Sequence, residues 1–371
     1  MHMEENVFDI LYEPLAGATL TNLLQLTAQN KGYVSPRYLP RILYSYTMAG
    51  VMAPFRLREH IRYHKKIHNT SLKEDPLFII GHWRSGTTYL HNMMTTNKQF
   101  GYCSTFTATM PGIFLTAENL LKPLLIASIP DKRPMDDAAM GADLPQEEEY
   151  AIGGLTPYAY YNGWCFPRNM ALYNDFVCLH TLPSSRIEQW KSTYLYLLKK
   201  LTIYNKGRQL ALKNPANTGR IRILLDMFPN AKFIHICRNP YEVFYSMMKF
   251  LCIVLPRYCV QRPPALHTIQ AHMIKLYITM YRQYMAERHL IPKEHLIEVK
   301  YEEFIEQPVE EMKKIYTDLN LPHYSKNEQR LKQYATSQRT FKTSSYTMDD
   351  TTKQHIYDQW QFAFKEFNYT K

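Results

Sequence analysis

With 371 residues, 46% of them hydrophobic, the chain can build one large α/β domain or two smaller ones. Its formal charge is +11, from 44 basic and 33 acidic residues, a balance that suits nucleotides, nucleic acid or an acidic membrane surface without choosing among them. Six scattered cysteines (Cys103, Cys165, Cys178, Cys237, Cys252 and Cys259) form no C-x-x-C pair, which excludes a zinc knuckle or dithiol motif and fits buried thiols in a reducing compartment.

Met1 to Asp9 contain no apolar run, so no secretory signal is read there. The longest apolar stretch, Pro111 to Pro130, is broken by Glu118, Asn119 and Lys122, too interrupted to span a membrane. The expectation is a soluble, cytoplasmic protein. Ala18 to Gln29, Tyr38 to Ala53 and Pro54 to His68 predict helices, so residues 1–70 read as an N-terminal helical extension ahead of an α/β domain at 71–371. Arg58, Arg62 and Lys66 share one helical face, read first as a solvated face and second as a peripheral membrane or partner contact. His60, His64 and His68 also recur every four residues. Arg62, Lys65 and Lys66 beside them repel a cation, so no required metal is expected.

Leu77-Phe78-Ile79-Ile80 is a continuous apolar run, the pattern of a strand buried on both faces. A glycine loop and a helix over Thr87 to Asn97 follow. A second unit repeats the pattern: a strand at Leu210–Leu212, a helix over Thr218 to Phe228, a strand at Lys232–Cys237, and a helix from Tyr241 to Leu251 after Asn239-Pro240. Leu296 to Val299 predicts one more strand and Pro308 to Leu319 another helix. Strands alternating with helices predict a mostly parallel sheet.

The loop Gly81-His82-Trp83-Arg84-Ser85-Gly86-Thr87-Thr88 has the two glycines of a P-loop but carries Thr87 where nucleotide triphosphatases have lysine. Loop amides and the positive end of the next helix still favour an anion. Thr87 and Thr88 add hydroxyls, and Arg84 adds a charged fork. Loss of the lysine argues against cleaving a β–γ phosphate bond and fits a donor with one phosphate at that end.

The loop within Phe78 to Asn92, P-Q-E-E-E at Pro145 to Glu149, L-K-N-P at Leu212 to Pro215, and Phe228 to Pro240 followed by Ser246 together resemble the bacterial branch of the sulfotransferases that use 3′-phosphoadenosine 5′-phosphosulfate. The resemblance runs from about Leu77 to Ser246, with weaker echoes to Trp360. It implies a three-layer P-loop-like fold with a central, mostly parallel sheet. It implies that Arg84 contacts the 5′-phosphosulfate and that Ser85, Gly86, Thr87 and Thr88 hold the 5′-phosphate. Tyr89 and Tyr301 would lie near the adenine, and Arg238 with Ser246, eight residues on, would hold the 3′-phosphate.

Sulfo transfer requires fixed positive charge on the transferred group and in-line geometry. Arg84 and Lys213 are the candidate cations, Lys213 because it ends a strand. Many relatives place a histidine base two residues after that lysine; Pro215 stands there instead. A carboxylate from Glu147, or else Glu149, is the alternative base, with His82 as a further group beside the sulfonate and His91 as a packing residue. Tyr158, Tyr160, Trp164 and Phe166 are candidate walls of an apolar pocket, so the expected acceptor is an apolar alcohol, sterol or phenol. Phe341, Lys342, Ser344 and Ser345 are further candidate phosphate donors, and Asp349 to Phe364 predicts a capped helix. The competing readings are a phosphotransferase using ATP and a non-catalytic nucleic-acid binder. Thr87 and the Arg238–Ser246 spacing weigh against both, so nucleic acid is not an expected partner.

Overall fold

The computed structural model describes residues 13–133, 138–338 and 348–371. In chain order the helices are α1 (Leu20–Gln29), α2 (Leu39–Val51), α3 (Ala53–Asn69), α4 (Thr87–Thr95), α5 (Thr105–Thr109), α6 (Glu118–Ser128), α7 (Glu148–Leu155), α8 (Asn162–Cys165) and α9 (Met170–Cys178). They continue with α10 (Ser184–Tyr204), α11 (Ile221–Met227), α12 (Pro240–Tyr258), α13 (Leu266–Glu287), α14 (Tyr301–Glu306), α15 (Pro308–Asp318), α16 (Tyr324–Gln338) and α17 (Asp350–Glu366). The strands are β1 (Leu77–Ile80), β2 (Phe100–Gly101), β3 (Gln209–Lys213), β4 (Lys232–Cys237) and β5 (Leu296–Lys300).

The four predicted strands are present. The two-residue β2 was not predicted, because so short a run carries no period. The helix expected over Thr218 to Phe228 opens instead as a 3-10 turn at Pro215–Gly219, with α11 beginning at Ile221. Phe341, Lys342, Ser344 and Ser345 lie outside the described residues.

The backbone forms two compact units. One comprises residues up to Lys73, Tyr102–Arg208 and Lys249–His272; the other comprises Glu74–Gly101, Gln209–Met248 and the chain from Met273 onward. The helices before Lys73 cluster with the two later segments of the first unit.

The second unit carries the sheet. All five strands are parallel, in the order β2-β3-β1-β4-β5. β1 is central and buried at every position, which is why its sequence is continuously apolar. Leu77 and Ile79 point to one face, packed with Leu90 and Met93 of α4, Met312 and Ile315 of α15 and Leu331 of α16. Phe78 points to the other face, against Phe233 and Phe228. On that side His235 of β4 stacks on Tyr284 of α13, with ring centroids 4.2 Å apart, and meets Phe367 after α17. The result is the expected three-layer α/β arrangement.

The first unit is helical. Its interior includes an ion pair between Glu59 of α3 and Lys200 of α10, both buried. Lys200 Nζ also donates to Pro111 O at 2.5 Å, and Leu115 N donates to Glu59 Oε2 at 2.7 Å. A buried pair needs such added bonds to offset desolvation. All six cysteines are buried.

Candidate active site

After β1 the chain goes to β2 and β3 on one side, then crosses to β4 on the other. That reversal puts the switch point at the carboxyl end of β1, where open α/β sheets bind ligands. Four candidate residues stand at such ends. Gly81 follows β1, Lys213 closes β3, Arg238 follows β4 and Tyr301 follows β5. Parallel register alone gathers segments far apart in sequence: Ile79 pairs with Lys213, and Ile80 with His235.

The loop is built around two glycines. Gly81 has φ +138°, and a Cβ there would fall 2.2 Å from Ile236 O. Gly86 has φ +91°, and its Cβ would fall 2.3 Å from Tyr301 Cδ2. Only glycine meets both demands. Between them Arg84 takes φ +71°, a left-handed conformation that costs an arginine on the order of 1 kcal/mol. Gly81 N donates to Thr218 Oγ1 at 2.8 Å, which pins the loop base. Gly86 caps α4 without any side-chain hydrogen bond, so the helix presents its first amides and positive end at the loop.

Around this loop the candidate groups converge. Arg84 Nε donates to Ser246 Oγ at 2.9 Å. Arg238 Nη1 donates to Arg84 O at 3.1 Å, and its Nη2 to Glu242 Oε2 at 3.1 Å. The Arg238 guanidinium lies 4.6 Å from the centroid of the Tyr301 ring, a cation–π distance. Arg238 Nε is buried with no hydrogen-bond partner among the described residues, a donor that an anion would satisfy. Lys213, also buried, donates from Nζ to Thr88 Oγ1 at 3.3 Å. Two guanidiniums, an ammonium and a helix N-terminus gathered at the carboxyl end of the sheet have the charge and donor geometry to accept an anion.

Other candidates sit differently. Ser85 is fully buried within the loop, beside Tyr281. Tyr89 turns toward α14 and α16, with its ring 5.3 Å from Phe304 and 6.1 Å from Tyr334. His82 is enclosed by Tyr277 and Tyr281, and its Nδ1 donates to Trp83 O at 2.8 Å. Burial lowers its pKa to about 4. That direction favours the neutral ring near pH 7. His91 is buried too, and its Nε2 donates to Ala211 O at 3.1 Å. Burial, and secondarily Lys213, lower its pKa to about 3.

The three acids lie in the first unit. Glu147 is the N-cap residue of α7 and accepts a short hydrogen bond from Tyr161 OH. The Tyr161 ring is held in turn by stacking on Trp164, 4.0 Å between centroids. Glu148 is buried and accepts from Tyr194 OH at 3.0 Å; burial raises its pKa to about 7. Glu149 accepts from Tyr160 N at 2.8 Å. Of the expected acceptor wall, Tyr160, Trp164 and Phe166 are core residues, each at most 3% exposed. Tyr158 is half-buried against Phe176.

Sequence reasoning assigned no individual role to Thr218, Glu242, Glu302 or Tyr161. Glu242 was detectable, four residues after Arg238 on one helix face. Glu302, whose Oε1 accepts from Asn239 N at 3.0 Å, and Thr218 act through contacts that no local pattern signals.

A family model described as the sulfotransferase family matches residues 76–326, well over half of the chain. The chain belongs to the sulfotransferase family. It is an enzyme of that kind, which sets aside the phosphotransferase and nucleic-acid-binding readings. Two curated relatives are each 27% identical over 359 residues, covering 96% of this chain and 91% of theirs. Both are named omega-hydroxy-beta-dihydromenaquinone-9 sulfotransferase Stf3, one from Mycobacterium bovis (strain ATCC BAA-935 / AF2122/97) and one from Mycobacterium tuberculosis (strain CDC 1551 / Oshkosh). The fold is similar to that of sulfotransferase STF9 from Mycobacterium avium, with a TM-score of 0.64 at 15% identity over 95% of this chain and 97% of that one. It is also similar to that of STF1 from Mycobacterium tuberculosis H37Rv, at 0.63 and 15% over 92% and 91%.

Proposed function

We propose that the enzyme transfers the sulfo group of 3′-phosphoadenosine 5′-phosphosulfate to a hydroxyl of an apolar alcohol, sterol or phenol. The observation that carries the donor assignment is the convergence of Arg84, Arg238 and Ser246 beside the Gly81–Thr88 loop. One phosphate site at a helix N-terminus and a second basic site joined to it match an adenosine bearing separate 5′ and 3′ charges. Thr87, Thr88 and the α4 amides would hold the 5′ end, Arg238 and Ser246 the 3′-phosphate, and Tyr301 the adenine side.

In the reaction the acceptor oxygen bonds to sulfur as the bond from sulfur to the 5′-phosphate oxygen breaks. The electron pair stays on the phosphate, leaving adenosine 3′,5′-bisphosphate. Arg84 and Lys213 stabilise that developing charge. Glu147 takes the acceptor proton, its carboxylate oriented by Tyr161. An apolar acceptor is supported by the relatives named for an omega-hydroxylated dihydromenaquinone.

Calorimetry with adenosine 3′,5′-bisphosphate, ATP and AMP tests the donor. The bisphosphate is expected to bind at least ten-fold more tightly than AMP, and equal affinities remove the 3′-phosphate site. An acceptor panel tests the remainder: sulfation of polysaccharides alone would overturn the apolar-alcohol reading.

A further inference from the structure

The first unit carries an apolar surface that the catalytic reading does not use. Of the fifteen large hydrophobic side chains exposed among the described residues, ten lie on α1, α2, α3 and α6, so the exposure is concentrated rather than scattered. α3 shows the pattern most clearly. Its inner side buries Glu59 and Ile67, while its outward side bears Leu57, 61% exposed, and Ile61, 74% exposed. Arg58, Arg62 and Lys65, all exposed, border those two residues. α6 buries only Leu121 of its eleven residues and exposes Leu120, Leu124 and Ile126. The loop entering α6 is fastened to the inner side of α3 through Leu115 N and Glu59, so the two helices share an anchor.

Apolar residues at the outward pole of a helix, flanked by arginine and lysine, are the composition of a helix that lies in a membrane interface. No helix among the described residues is long and apolar enough to cross a membrane. We infer that α3 and α6 form a peripheral docking surface for a bilayer rich in anionic phospholipid, the leucine and isoleucine side chains entering the acyl boundary and the basic residues pairing with headgroup phosphates. Each basic side chain near an anionic surface strengthens partition roughly five-fold. An acceptor dissolved in the bilayer would then be reached without leaving it. That purpose rests on the proposed apolar acceptor; the docking itself does not.

The test is flotation of the full-length protein with phosphatidylglycerol–phosphatidylcholine vesicles and with pure phosphatidylcholine vesicles, with no donor or acceptor added. The protein is expected to float with the anionic vesicles and to release as salt rises. Leu57→Asp/Ile61→Asp and Leu120→Asp/Leu124→Asp should each reduce binding at least ten-fold. Arg58→Glu/Arg62→Glu should remove the preference for anionic lipid. Circular dichroism and sulfo transfer to a short-chain soluble alcohol should match the wild type in each case, separating a failure of docking from a failure of the catalytic reading. Wild-type protein that stays at the bottom of the gradient overturns the inference. So does flotation of both Asp pairs at wild-type levels, or a dimer in solution that Leu57→Asp/Ile61→Asp dissociates without any vesicle binding.

Discussion

The Arg84 guanidinium donates to the Ser246 hydroxyl across 162 residues of sequence, at 2.9 Å. It joins the phosphate loop to the helix after β4, so the sites proposed for the two ends of the donor are mechanically one. Arg238 reinforces the link from the other side by donating to Arg84 O. Arg238→Ala should therefore weaken adenosine 3′,5′-bisphosphate about 10- to 100-fold, the size of a lost charge-assisted hydrogen bond. AMP should change less than about three-fold on the same scale. Ser246→Ala should weaken the bisphosphate too, but less than Arg238→Ala does, by calorimetry.

Gly86 and Tyr301 are a contact pair in which the glycine makes room for the ring. Gly86→Ala is expected to cost roughly 1–3 kcal/mol of stability in urea unfolding, through strain at positive φ and overlap with Tyr301. Tyr301→Ala in the same chain should return the overlap part but not the φ part. A double-mutant cycle that shows strict additivity would mean the two residues do not meet.

Lys213 is positioned on Thr88, the second residue of α4. Lys213→Ala should lower kcat by about two orders of magnitude and change the affinity for the bisphosphate product by less than about five-fold, because its charge matters most as the leaving oxygen becomes anionic. The reverse pattern would make Lys213 a binding residue.

Glu147→Gln removes the proposed proton acceptor and should lower kcat roughly 10²- to 10⁴-fold. Tyr161→Phe keeps the carboxylate and loses only its positioning bond, so its loss in kcat should be smaller. A Glu147→Gln enzyme within about three-fold of wild type would move the base elsewhere.

His91 links pH to stability. Its folded pKa, about 3, lies below the ordinary histidine value of 6.5, so the unfolded chain binds the extra proton as pH falls. The stability from the neutral ring is fully present above about 6.5 and declines as pH drops toward 3, by on the order of 2 kcal/mol at pH 5. His91→Gln, whose amide can still donate to Ala211 O, should flatten the fall in the urea midpoint between pH 7.5 and 5. Buried Glu148 has the opposite sign, its stabilising protonated form being lost as pH rises toward 7.

Much of this architecture could be read along the chain. β1 and β4 announced themselves as apolar runs because parallel central strands are buried on both faces. Gly81 and Gly86 marked the loop because positive φ beside a packed backbone admits no other residue. Lys213 and Arg238 were recognisable as candidates because each ends or follows a strand, a local fact, while Arg84 came from the glycine loop and Tyr301 from the family resemblance.

What only the tertiary structure decided is who touches whom and who is buried. The strand order, the Arg84–Ser246 bond, the enclosure of Ser85 and the neutrality of His82 depend on residues far away in sequence. So does the burial of Tyr160, Trp164 and Phe166, whose composition alone suited a pocket as well as a core. Periodicity and turn chemistry act between near neighbours and are written in the sequence. Desolvation and hydrogen-bond partnership are set by packing across the whole fold, and no window of residues contains them.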